Sequence, residues 1–363
     1  SNVAIGYKAL EDLTTGNNLV AIGSEAALNA TGAADSVFIG EGAGRDATSP
    51  QDTVCIGHNA GENNGAQGSV FIGKSAGREA ASSQDCVFIG RLAGVGSSST
   101  GDNNVGVGTM ALNDYTNGDD NTCVGTSSGQ KITTGNENTV LGSSAGSSLT
   151  TGSTNVCVGS DAGKSMVEAN NHTFVGYGAG KEVLSTGDNT FIGSIAGRGN
   201  TNANPTGTLN VAIGASAFTD FTTADKNVVV GSGAGASMQS GTQNVFVGRN
   251  AFSNNGTVEN CVFIGHAAAG DTSATHSGDD NIAIGTDAMS KYTTAAENVC
   301  IGKDSGKNFT TSEECTFIGL AAGQGGTNAS GDSNVGIGAR ALKVFTTGQN
   351  NTALGHNAAM SLT

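Results

Sequence analysis

Asn2-Val3-Ala4-Ile5-Gly6, with Ala9 three places on, decides the fold because it keeps returning. It recurs as Leu19-Val20-Ala21-Ile22-Gly23 with Ala26, then as Ser36-Val37-Phe38-Ile39-Gly40 with Ala43. It is still present near the end as Asn351-Thr352-Ala353-Leu354-Gly355 with Ala358. With the strand glycine as marker, 21 units run from Gly6 to Gly355, usually 17 residues apart. A fixed short period means a chain that grows by stacking units, so residues 1–363 are read as one repeat domain.

The columns of this repeat carry the physics. The residue before the glycine is always aliphatic, and the residue three places before it is always β-branched. Two residues apart, they share one face of a short strand. That face is read as the core, which sends the column between them outward. This middle column holds Ala4, Ala21 and Cys55, and also Phe38, Phe71, Phe88, Phe174, Phe191, Phe246, Phe263 and Phe317. Eight outward phenylalanines would form a greasy stripe that soluble monomers avoid. The expectation is an inter-chain face covered by copies of the same chain.

After the glycine come two variable residues and then a small one, read as a second short strand. The next place is usually glycine, as at Gly44 and Gly94, or else large, as at Leu10, Leu112, Phe218 and Leu342. Polar turns such as Thr14-Thr15-Gly16-Asn17 close each unit. Asparagine begins 13 of the 21 strands, and stacked asparagines can bond as an amide ladder. Each unit is thus one coil of a parallel β-solenoid, and 21 coils about 4.8 Å apart would span on the order of 100 Å.

Composition narrows the function. The chain has 58 glycines, two prolines, no tryptophan and a net charge of −15. That balance argues against nucleic acid and anionic membrane surfaces as partners. No apolar run is long enough to cross a bilayer as a helix. The chain opens and closes within the pattern, so a segment of a longer fibre protein is expected.

The units resemble the head repeats of trimeric autotransporter adhesins. The resemblance rests on Asn2-Val3-Ala4-Ile5-Gly6 and Asn210-Val211-Ala212-Ile213-Gly214, each followed by a small residue. They are also similar to repeats in phage tail-fibre and other virion-surface proteins. The units are longer than in the adhesin heads, and their middle column carries Phe more often than Ala. The resemblance implies a left-handed parallel β-roll, three chains about an axis and a surface that binds host ligands. The location it implies is extracellular, on a virion or bacterial surface, with self and a host glycan or protein receptor as partners.

Nothing in the pattern points to an enzyme. The seven cysteines all lie in strands with no Cys-x-x-Cys pair, and are read as small buried hydrophobes; an inter-chain disulfide is the alternative. The five histidines, His58, His172, His266, His276 and His356, are read as solvent-facing. Asp119-Asp120, Asp279-Asp280 and Glu313-Glu314 are read as solvated turn acids, with calcium as the alternative occupant. No cofactor is expected.

Lengthened turns after Gly193, Gly265 and Gly319 are the candidate ligand-binding loops. Their residues are Asn200, Asn202, Asn204, Asp271, Thr275, His276, Gln324 and Asn328. Insertions in solenoids fall on one face, often the binding face. The expected role is a rigid adhesive fibre segment. The rivals are a monomeric ice-binding solenoid, which needs an outward file of threonines, a calcium-stabilised one, and a tail-spike glycan depolymerase, which needs an acid pair in a groove.

Overall fold

The computed structural model describes residues 1–184, 187–270 and 275–362. These form two compact units, Ser1–Gly178 and Ala179–Thr363, each a parallel β-solenoid. The first contains eleven strands, from Asn2–Ile5 to Thr173–Val175. The second contains ten, from Thr190–Ile192 to Thr352–Leu354, and a short pair, Val344–Phe345 with Ser361–Leu362. Within each unit the strands pair in parallel with like columns opposite one another, as in Phe71↔Phe88 and Phe246↔Phe263. The expected all-β solenoid of coils about 17 residues long is therefore present.

The strand glycine is dictated by two constraints. Gly125 has φ +133°, and a Cβ there would sit 2.6 Å from the carbonyl oxygen of Gly142 in the next coil. L-residues rarely adopt that φ, and no backbone could yield that much space. The column is glycine because glycine stacks on glycine.

The segment after it is a turn run and not the expected second strand. Residues two and four places beyond the glycine are left-handed, such as Lys8 and Leu10, each with φ 57°. This alternation still lets backbone groups reach the adjacent coils: Leu10 N–H bonds Ala26 O at 3.1 Å, and Glu25 N–H bonds Tyr7 O at 2.7 Å. Glycine is common at the fourth place because it enters this region without cost, but Leu112 and Phe218 occupy it at φ 50° and 56°.

The two faces of the strand are the reverse of the expectation. Phe38, Phe71, Phe88, Phe174, Phe191, Phe246, Phe263 and Phe317 are all fully buried inside their own chain. They do not form an inter-chain face. The flanking Val and Ile columns point outward and stay half-exposed, with Ile192 and Ile213 both at 38 %. The cause is the far wall of each coil. The middle column points across the coil at the small residue and at the fourth place after the glycine, and these two positions share one volume. Opposite six of the eight rings the residue is glycine, and a Cβ at Gly44, Gly77 or Gly94 would run into Phe38, Phe71 or Phe88. The exceptions are Ala269, opposite Phe263, and Phe252, which stacks 4.8 Å from Phe246. Where the middle residue is small, as at Gly106, Ala212 or Gly336, the opposite residue is Leu112, Phe218 or Leu342, each buried.

Aromatic rings then stack from coil to coil. Phe71 and Phe88 lie 5.6 Å apart and nearly parallel, and Phe246 and Phe263 lie 5.3 Å apart. Truncating such a ring to alanine costs about 3–5 kcal/mol. The asparagine ladder is present and buried. Asn138 Nδ2 donates to Asn121 Oδ1 at 2.9 Å and to Gly152 O at 2.9 Å, while its own Oδ1 accepts from the backbone and side chain of Asn155 at 3.0 Å each. Each amide thereby satisfies a strand-start N–H and a turn carbonyl that would otherwise be buried without partners. A threonine file at the turns does similar work, with Thr116 Oγ1 donating to Thr133 O at 2.9 Å and Thr133 Oγ1 to Thr150 O at 3.2 Å.

Candidate functional site

Two surfaces of the coil remain after the core is accounted for: the lengthened loops and the outward strand face. In the second unit the first loop leaves the stack after Asn200, whose N–H bonds Phe221 O at 3.1 Å, and rejoins it at Thr206, whose N–H bonds Thr222 O at 2.8 Å. Asn202 and Asn204 are exposed between these anchors, and Asn200 is half-buried with Oδ1 accepting the Asn202 N–H at 2.9 Å. In the third loop Asn328 is exposed and Gln324 half-buried. Asp271 lies outside the described residues, and Thr275 is exposed.

His276 departs from the expectation. It is fully buried, its ring 4.4 Å from that of Tyr292 and 6.1 Å from that of Phe252. Asn254 Nδ2 lies 3.4 Å from its Nε2. The second loop therefore sends its histidine into the core, anchoring the segment there. His172 is also buried, stacked 4.7 Å from Phe174 in place of a ladder asparagine. His58, His266 and His356 are exposed as expected. The first and third loops present polar side chains, and the three loops leave different coils and do not converge on one point. Four coils separate the first from the second and three the second from the third, so gaps of about 19 Å and 14 Å lie along the stack.

All seven cysteines are buried and unbridged, as read from the sequence. Burial pushes the thiols of Cys55, Cys157 and Cys261 up to about 12. Cys86, Cys261 and Cys315 replace ladder asparagines. Cys86 Sγ, for example, faces Gln84 O at 3.3 Å and Gly101 O at 3.5 Å. Nothing activates these thiols, so they are packing groups.

Of the paired turn acids, Asp119 and Asp279 are part of the scaffold. Asp119 accepts the Asp102 N–H at 2.8 Å, and Asp279 accepts the Glu259 N–H at 2.8 Å. Among the described residues no three His, Cys, Asp or Glu side chains converge as a metal site. A cavity of about 260 Å³ beside Ala267 and Ser290 contains Lys307, already paired with Asp287 at 3.1 Å and Asp304 at 2.8 Å.

The outward face is the larger feature, and it is formed by the two columns expected in the core. It is a parallel sheet with two files of side chains, one Val or Thr and one Ile, Val or Leu. In the first unit all of these side chains, two on each of eleven strands, are half-exposed or exposed. No helix is long and apolar enough to cross a membrane among the described residues. Neither a protein-family model nor a curated protein matches this chain.

Proposed function

We propose that this chain is a structural and adhesive fibre segment on a virion or bacterial surface, built from three copies packed around a common axis. The observation that carries the reading is the outward Val/Ile face. The chain's own core is already filled by the middle column, so that aliphatic sheet is surplus to folding, and soluble monomers rarely leave a contiguous apolar face uncovered. Copies of the chain are its natural cover, since an in-register aliphatic sheet is self-complementary in chemistry. The polar loops at 200–206 and 324–330 are the candidates for contact with a host glycan or protein.

The ice-binding alternative gains something from the reversed faces, because Thr122, Thr139 and Thr173 now point outward. It still lacks a regular file: most of that column is valine, and the column beside it contains no threonine. Native mass measurement of the full chain tests the proposal. A trimer that breaks into folded monomers on Ile89→Asp supports it. A wild-type monomer at micromolar concentration overturns it. Ligand contact is tested separately, by host-surface binding before and after residues 201–204 are replaced with a short Gly-Ser turn.

A further inference from the structure

The outward face has a direction. The face is flanked at one end by the fifth place before the glycine, where Asp85 and Glu297 turn into the left-handed region at φ 53° and 59°, and at the other by the first place after the glycine. Read across single coils, the rows are Asp85-Val87-Ile89-Arg91, Asp52-Val54-Ile56-His58 and Glu297-Val299-Ile301-Lys303. Each runs acid, β-branched, aliphatic, base. The end residues of these rows are exposed.

The order holds beyond these rows. The two columns at the strand-entry edge, five and six places before the glycine, contain seven acids in the first unit and nine in the second, against one lysine, Lys226. The strand-exit column contains Lys74, Arg91, Arg249 and Lys303 with three histidines, against one acid, Glu41. None of these edge acids forms an ion pair with Lys or Arg among the described residues, and neither do Lys74, Arg91 and Lys303. The ion pairs that do form lie elsewhere on the coil, as in Arg45 with Glu25 at 3.2 Å and Lys307 with Asp304 at 2.8 Å. The sheet therefore presents an apolar centre between one acidic and one basic edge. Asp52, Asp85 and Glu297 of the fifth column are exposed, whereas Asp102, Asp119, Asp225, Asp279 and Asp332 of the sixth accept backbone N–H bonds from the adjacent coil.

Resting on the self-assembly reading above, we infer that a second copy of this chain covers this face with its stacking axis parallel, the acidic edge of one copy meeting the basic edge of the next. Symmetry decides the orientation. Copies related by rotation about an axis along the stack keep one sense of strand circulation, so the acid edge of each meets the base edge of the next. Copies facing each other with their stacking axes reversed place acid on acid along one margin and base on base along the other. Like charges opposed across a desolvated interface disfavour that arrangement, and opposite charges fix direction and register. Asp85 with Arg91, and Glu297 with Lys303, hold matched coils level.

The test uses the full chain as a mixture of isotopically light and heavy copies, treated with a zero-length carbodiimide that joins carboxylates to lysines. Heavy–light links from Lys74 to Asp52 or Asp85, and from Lys303 to Glu297 or Glu314, are expected. Asp85→Arg and Arg91→Asp should each lower the salt concentration at which the assembly dissociates, and the double variant should restore it. An assembled protein without those links, dissociating at unchanged salt in both single variants, overturns the parallel edge pairing and leaves self-assembly standing. A monomeric wild-type chain overturns both, and native mass tells the two failures apart.

Discussion

Gly125 shows how little freedom one residue has in this repeat. Its left-handed φ and the Gly142 carbonyl beneath it both exclude a side chain. Gly125→Ala should cost about 2–4 kcal/mol and lower the thermal midpoint, whereas alanine at the exposed Thr126 should leave it nearly unchanged. Asn138 is constrained by hydrogen bonding instead of space. Asn138→Ala strands the Asn155 amide and the Gly152 carbonyl, at about 2–3 kcal/mol. Asn138→Cys should lose less, because Cys261 and Cys315 already fill the same position with Sγ turned to turn carbonyls. Urea unfolding of the two variants side by side checks that order.

At the scale of the coil, what matters is the volume shared between the middle strand residue and the fourth residue after the glycine. Ala212 faces the side that Phe218 fills, and Phe218 stacks 4.8 Å from Phe221. Ala212→Phe alone overpacks the coil and should destabilise by about 1–3 kcal/mol. Adding Phe218→Gly reproduces the arrangement of Phe88 with Gly94 and should recover most of the loss, a positive coupling in a double-mutant cycle. This same trade was the one signal in the sequence that could have oriented the strand. Strand positions, period, glycine turns and the amide ladder were all legible, because each is a column with one residue type and one cause. Which face is inside was not legible from the strand alone, since both faces are apolar and β-branched residues suit either. Only the inverse sizes of Phe38 and Gly44, or Gly106 and Leu112, say which column looks across the coil. His276 was misplaced for a related reason: a polar residue in a long turn reads as exposed until Phe252 and Tyr292 are seen to enclose it.

For the molecule as a whole, each unit is a core of stacked rings and amides with its titratable thiols sealed inside. Burial raises the thiols of Cys55 and Cys157 from an ordinary value of 9.0 to about 12. The sign follows directly. Unfolded thiols ionise above about 9 while folded ones stay protonated, so their contribution is complete below 9 and is lost as pH rises towards 12. Stability should therefore fall across that alkaline window, and thiol reagents at pH 8 should label the seven cysteines only after denaturation. Salt acts on the other feature of the molecule, its charged edges, and should loosen the proposed assembly without melting the coils.

Phe88 and Ile89 are adjacent residues on opposite sides of one strand, Phe88 buried inside the coil and Ile89 exposed. The decisive measurement is the far-ultraviolet spectrum and thermal midpoint of Phe88→Asp beside Ile89→Asp in the full chain. Ile89→Asp should keep the strand spectrum and a near-native midpoint while the proposed assembly falls apart, and Phe88→Asp should lose the fold around its coil, with a much lower midpoint. A folded Phe88→Asp protein beside an unfolded Ile89→Asp protein would contradict that assignment of faces.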